Sequence, residues 1–236
     1  MKLYSMKVSN NGVYIHYLSS NPQSSLTPLV ICPGLSETAE DYLDLMEYLS
    51  PRPCIAISFR GRGQSDTPEA GYTLNDHVSD IASVIDAAQL SSFHLYAYSR
   101  GVSYALGYLK DNMSKVVSAI MQEYPAEHRR ITPNWVDSYL NEYLIPFYRQ
   151  QHIRPEAVRG IQLESEQVTF QFPIPRKMLV IRGLLEGSLV DDEAIKGYQR
   201  LSTEIEYADF HQSGHDIRNT ERELLYRTIH DFIRNA

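Results

Sequence analysis

From Leu29 onward the sequence alternates short, wholly apolar runs with amphipathic stretches, and that alternation restricts the chain to one kind of layered fold. Leu29-Val30-Ile31-Cys32 ends at Pro33-Gly34, and Cys54 to Phe59, Phe93 to Tyr98 and Val116 to Met121 are runs of the same kind. A short apolar run bounded by turn residues reads as a strand buried on both faces. Between these runs, Ala39–Leu49 and Leu74–Ala88 carry apolar residues at helical spacing. The second has Thr73 as N-cap, with Asp76 three residues on. Strands alternating with helices of about 10–15 residues build βαβ units, hence a mostly parallel sheet flanked by helices. Met178–Arg182 continues the sheet, Asp191–Leu201 is a helix and Glu206–Phe210 a last strand; a final helix follows Gly214-His215. Ahead of all this, Leu3–Val8 and Val13–Leu18 flank Asn10-Asn11-Gly12, the signature of an N-terminal hairpin.

Between 122 and 177 the alternation stops. This stretch holds Trp135 and Tyr124, Tyr139, Tyr143 and Tyr148, with one predicted helix near Pro133–Leu144. An insertion of about 50 residues reads as a small cap on one domain spanning 1–236, not as a second domain.

Composition narrows the partners. A formal charge of −7 argues against nucleic acid and anionic membranes, both of which demand basic stripes. The N-terminus M-K-L-Y-S-M-K-V lacks an apolar core, and no run approaches the ~18 residues of a membrane span. Cys32 and Cys54 sit in apolar runs without a C-x-x-C pairing, so they read as buried small hydrophobes in a reduced, cytoplasmic setting. No His/Cys/carboxylate spacing suggests a metal, and Arg60 to Asp66 (R-G-R-G-Q-S-D) lacks the ending of a phosphate loop. That segment reads as a tight loop with Asp66 and the arginines in structural ion pairs. No cofactor is implied, and the chain is expected to act as a monomer or homodimer on a small molecule.

The stretch that carries chemistry is Ala97-Tyr98-Ser99-Arg100-Gly101, between an apolar strand and a helical pattern. This is the strand–turn–helix context of a G-x-S-x-G nucleophile elbow, with Ala in place of the first Gly. Small flanking residues let strand and helix approach closely and push the serine hydroxyl out over the sheet. By chance such a pentapeptide arises about 0.2 times in a chain of this length, so it requires support from elsewhere.

That support comes from order. Pro33-Gly34, Arg60 to Asp66, Ala97 to Gly101 and Ser213-Gly214-His215-Asp216 together resemble the α/β-hydrolase fold superfamily. The resemblance covers essentially the whole chain, 122–177 least. It implies Ser99 as nucleophile and His215 as base, with His211 read as structural. An acid is implied between them in chain order, and Glu186, after the Met178–Arg182 strand, is the expected one. Glu123 is an alternative, while Asp191 and Asp192 read as helix capping. The oxyanion hole would use the backbone N–H groups of Leu35 and Arg100, and Trp135 and Tyr139 of the cap would line the substrate pocket. The Arg100 side chain either favours an acidic substrate or pairs with a local carboxylate. The expected activity is hydrolysis of a carboxylic ester, with thioester and lactone as variants. C–C bond hydrolysis and a non-catalytic binding protein of the same fold are the alternatives. Epoxide hydrolase and dehalogenase chemistry is disfavoured, because those relatives carry Asp where Ser99 stands.

Overall fold

The computed structural model describes all residues, Met1–Ala236. The hairpin forms as its turn dictates. β1 (Leu3–Asn10) and β2 (Val13–Ser20) pair antiparallel around Asn11 and Gly12, whose φ angles are 51° and 88°. Two successive positive φ values suit Asn-Gly better than any other pair.

β2 joins the main sheet through β4 (Cys54–Ser58), antiparallel, and every later pairing is parallel. β3 (Leu29–Cys32) lies between β4 and β5 (Phe93–Tyr98), and β6 (Val116–Gln122) lies beyond β5. The insertion contributes a separate short pair, β7 (Glu127–His128) with β8 (Val168–Thr169). β9 (Lys177–Gly183) and β10 (Ile205–Phe210) complete an eight-stranded sheet of order β1-β2-β4-β3-β5-β6-β9-β10.

The central parallel strands, β3 to β6, are buried almost throughout because both faces are covered, whereas the edge strand β10 is half-exposed and carries Glu206 and Asp209. On one face, Val30, Leu95, Ala97, Met121 and Val180 meet α2 (Leu74–Ala87), α3 (Gly101–Asn112) and, further along the chain, the helix Asp192–Leu201. Leu29, Ile31, Tyr96, Ile120 and Leu179 point to the other face, against α1 (Leu43–Tyr48) and the C-terminal helix Arg222–Arg234. α2 opens as expected, with Thr73 and Asp76 closing a capping box. Both cysteines are buried free thiols, and burial pushes Cys54 up to about 12. No helix is long and apolar enough to cross a membrane.

The insertion has a small core of its own. Ile131, Val136, Leu140, Leu144, Ile153, Ala157, Val158 and Ile161 cluster with Tyr72. Helix α4 (Pro133–Ser138) continues into a π-helical turn over Tyr139–Leu144, which matches the predicted helix. A further helix, α5 (Pro155–Glu164), differs from the expectation of a single one. Its apolar face is short, and Gly160 interrupts the pattern because a Cβ there would lie 2.4 Å from the Tyr72 ring. After it come α6 (Asp192–Leu201), α7 (Ile217–Thr220) and α8 (Arg222–Arg234).

The loop Arg60–Asp66 carries this insertion. Arg154 N donates to Gly61 O, Gly63 N to His152 O, and the Arg154 guanidinium to Gly63 O and Ser65 O. The expected ion pairs of the loop differ in partner. Arg60 pairs with Asp80 of α2 at 2.6 Å, both buried, while Asp66 accepts the Tyr14 N–H. Asp80 also accepts from Asn10, tying the hairpin to α2.

Two outcomes follow. Asp80→Ala leaves the buried Arg60 guanidinium with only the longer 3.5 Å contact to Asp76 and should cost about 3 kcal/mol in urea unfolding. The second concerns acid. Burial pushes the His94 imidazole down to about 4, and burial with the Arg100 charge pushes His128 down to about 3. The unfolded chain takes these protons near pH ~6.5, so below that pH it binds more protons than the folded state. Melting temperature should therefore fall as pH drops from about 6.5 toward 4. His94→Asn should flatten that slope.

Candidate active site

Ser99 sits on the turn between β5 and α3 with φ of 51°, a conformation that costs a non-glycine residue about 1–3 kcal/mol. The turn is tight because α3 starts directly against the end of β3. A Cβ on Gly101 would lie 2.3 Å from the carbonyl oxygens of both Cys32 and Pro33. Ala97, one position inside the strand end, fits its methyl into the core.

Next to β5, β6 ends at the same level, with Tyr98 in register with Gln122. Ser99 and Glu123 therefore leave neighbouring strands side by side, and both have positive φ. Between them comes His215. Its Nε2 lies 3.1 Å from the Ser99 hydroxyl and its Nδ1 3.1 Å from Glu123 Oε2. A carboxylate only accepts, so it fixes the proton on Nδ1 and leaves Nε2 free to accept from Ser99. Glu123 is fully buried. Its Oε1 accepts from Gly183 N (2.7 Å) and the Ser188 hydroxyl (2.8 Å), and its Oε2 from Leu189 N (3.0 Å).

Glu186, the expected acid, is exposed and does not reach His215. The loop after β9 folds over the Ser213-Gly214 backbone, so Glu186 presents its carbonyl there: a Cβ on Gly214 would lie 2.3 Å from Glu186 O. The same loop supplies N–H donors to Glu123 instead of an acid. Asp191 caps α6 by accepting from Ala194 N, and Asp192 pairs with Arg182 at the surface. His211 is exposed, away from the site.

Leu35 and Arg100 both line the cavity over Ser99, and neither backbone N–H has an acceptor within the chain. The chain around Leu35 is clamped: Glu37 accepts from Gly34 N at 3.0 Å, and Arg62 Nε donates to Leu35 O at 3.0 Å. Arg62 and Arg100 are both buried and neither pairs with a carboxylate. Arg100 donates to the Tyr104 hydroxyl, Arg129 O and His128 Nε2; Arg62 donates to Arg60 O and His77 Nε2. Desolvation, reinforced by these guanidinium charges, lowers both imidazoles and keeps them neutral acceptors.

Tyr98, Glu37 and Arg62 are supports whose roles the sequence did not assign, although Tyr98 and Arg62 lie inside motifs it singled out. The Tyr98 ring stacks on His215 at 5.1 Å and its hydroxyl donates to His215 O. A large residue just before the serine was the one available signal. The cavity over Ser99 measures about 850 Å³, and Trp135 and Tyr139, stacked 4.7 Å apart, form part of its wall. No group of three or more His, Cys, Asp or Glu side chains is assembled as a metal site.

The arrangement defines a hydrolase-type fold with a serine, imidazole and carboxylate in hydrogen-bonded sequence. The family model for the alpha/beta hydrolase fold matches residues 27–215, and the chain belongs to that family. Among solved structures, it is similar to the esterase RhEst1 from Rhodococcus sp. ECU1013, with TM-score 0.84, 19% identity and 99% of each chain covered. A haloalkane dehalogenase loop variant from Bradyrhizobium elkanii has TM-score 0.77 and 15% identity, covering 100% of this chain and 98% of its own. By sequence, 74 residues are 40% identical to a probable lysophospholipase, BODYGUARD 4, of Arabidopsis thaliana. That match spans 30% of this chain and only 18% of the plant protein.

Gly101→Ala tests the tight turn. Its methyl has nowhere to go but into two backbone carbonyls, so the substitution should lower stability by about 1–3 kcal/mol or more in thermal unfolding.

Proposed function

We propose that the protein is a serine hydrolase that cleaves a carboxylic ester, with thioesters and lactones as close variants. The observation that carries this reading is the continuous Ser99–His215–Glu123 hydrogen-bond chain beside two unengaged backbone N–H groups. In the proposed reaction His215 Nε2 takes the Ser99 proton as Oγ attacks the carbonyl carbon. The resulting oxyanion is held by the Leu35 and Arg100 N–H groups. His215 then hands its proton to the leaving alcohol, and an acyl-Ser99 ester remains. Water, deprotonated by His215, repeats the attack and releases the acid. Glu123 holds the imidazole tautomer and stabilises its charged form. The insertion serves as a cap whose Trp135 and Tyr139 contact substrate. The esterase neighbours support this choice of bond; the fold alone is shared with dehalogenases.

The test is labelling with a serine-reactive phosphonate and hydrolysis of p-nitrophenyl esters. Ser99→Ala should abolish labelling and reduce turnover by more than about 10³-fold. Near-normal hydrolysis by that variant would overturn the reading. Glu123→Gln should lower kcat by about 10²–10⁴-fold through loss of the tautomer, whereas the exposed Glu186→Gln should leave kcat nearly unchanged. The reverse ranking would return the acid role to Glu186.

A further inference from the structure

The cavity over Ser99 is lined by five arginines against three carboxylates, Glu37, Asp41 and Asp216, although the chain as a whole carries −7. Ion pairs in this region use Arg129, Arg159 and Arg218, with Glu127, Asp137 and Glu37 respectively. Arg100, Arg130 and Arg149 line the same cavity without a carboxylate partner. On the insertion side, Arg149 Nε is buried with no hydrogen-bond partner, and the Tyr139 hydroxyl is buried beside the Ser36 side chain. They are near neighbours through Tyr143: the Arg149 guanidinium lies 5.6 Å from the Tyr143 ring, and the Tyr139 and Tyr143 rings are 5.4 Å apart.

Buried donors without acceptors are costly, and a folded chain keeps them where something else supplies the acceptor. Stacking on Tyr143 engages the face of the Arg149 guanidinium, and its terminal N–H groups, which bond to no carbonyl or carboxylate of the chain, are left for a carboxylate or phosphate in the cavity that Arg149 lines. Unpaired positive charges in a partly enclosed wall also focus the local field, against the sign of the whole molecule. The geometry points to a substrate ester that carries an anionic group, carboxylate or phosphate, seated on Arg149 while its carbonyl lies at Ser99. The reaction is the ester hydrolysis proposed above and rests on that reading; the anion subsite stands on the Arg149 guanidinium, which lines the cavity with no carboxylate partner.

Matched substrates test it. On the acyl side, the mono-4-nitrophenyl ester of glutaric acid is compared with 4-nitrophenyl valerate; on the alcohol side, 4-acetoxybenzoate is compared with phenyl acetate. The anionic member should have the higher kcat/KM by about tenfold or more in at least one pair. Arg149→Gln should erase that preference, while Arg159→Gln, the same charge change on an exposed side chain, should keep it. Where Arg149→Gln proves too unstable to assay, Arg149→Lys carries the test, because it keeps charge but loses the planar fork. Thermal shift with glutarate and with glycerol 3-phosphate then distinguishes carboxylate from phosphate, since the preferred anion should raise the wild-type melting temperature more. Equal rates in both pairs with no stabilisation by either anion overturn the proposal. A preference that survives loss of Arg149 overturns the assigned subsite. If no ester is turned over, but an anion stabilises wild type and not the Arg149 variant, the subsite stands and the ester-hydrolase reading falls.

Discussion

Parallel pairing of β5 with β6 is the constraint on which the site rests. With Tyr98 opposite Gln122, two adjacent strands end together, and each then turns through a residue of positive φ. Serine and carboxylate so placed are a fixed lateral distance apart, set by sheet geometry and not by loop conformation. The imidazole has only to enter from the far edge of the sheet to bridge them. Its loop is held by the Tyr98 hydroxyl and by packing of Gly183 against the Ser213-Gly214 backbone.

Behind this line lies an unusual distribution of buried charge. Arg60 is neutralised by Asp80, but Arg62 and Arg100 are solvated by carbonyls, a phenol and two neutral histidines. Both lie beside the lining of the Ser99 cavity: Arg62 holds Leu35 O, and Arg100 is itself a lining residue. Positive charge without a local counterion thus sits beside the wall of the Ser99 cavity, in surroundings of low dielectric where it is screened least.

Much of the fold was legible because the signals were local. Apolar runs such as Leu29–Cys32 and Cys54–Ile57 could only be two-sided strands, and Asn10-Asn11-Gly12 could only turn a hairpin. Ser99 and His215 were legible from their flanking glycines and chain order. The carboxylate was not, because chain order places Glu123 and Glu186 alike between serine and histidine. What separates them is lateral register across the sheet, which no one-dimensional pattern contains. Helix α5 was hidden for a related reason: its apolar residues are chosen to meet Tyr72, a partner some 80 residues earlier in the chain, and Gly160 spoils the periodicity to make room for it.

The loop Arg60–Asp66 is gripped from both sides. Residues 152–154 of the insertion bond to its backbone, and its Arg62 in turn bonds to Leu35. Remodelling for new substrates is therefore not equally free across the insertion. The α4 side, with Trp135 and Tyr139, contacts the cavity and can be exchanged like an interchangeable mould. The segment 152–158 is a hinge pin, and altering it would be felt, through one intervening arginine, at an N–H beside Ser99.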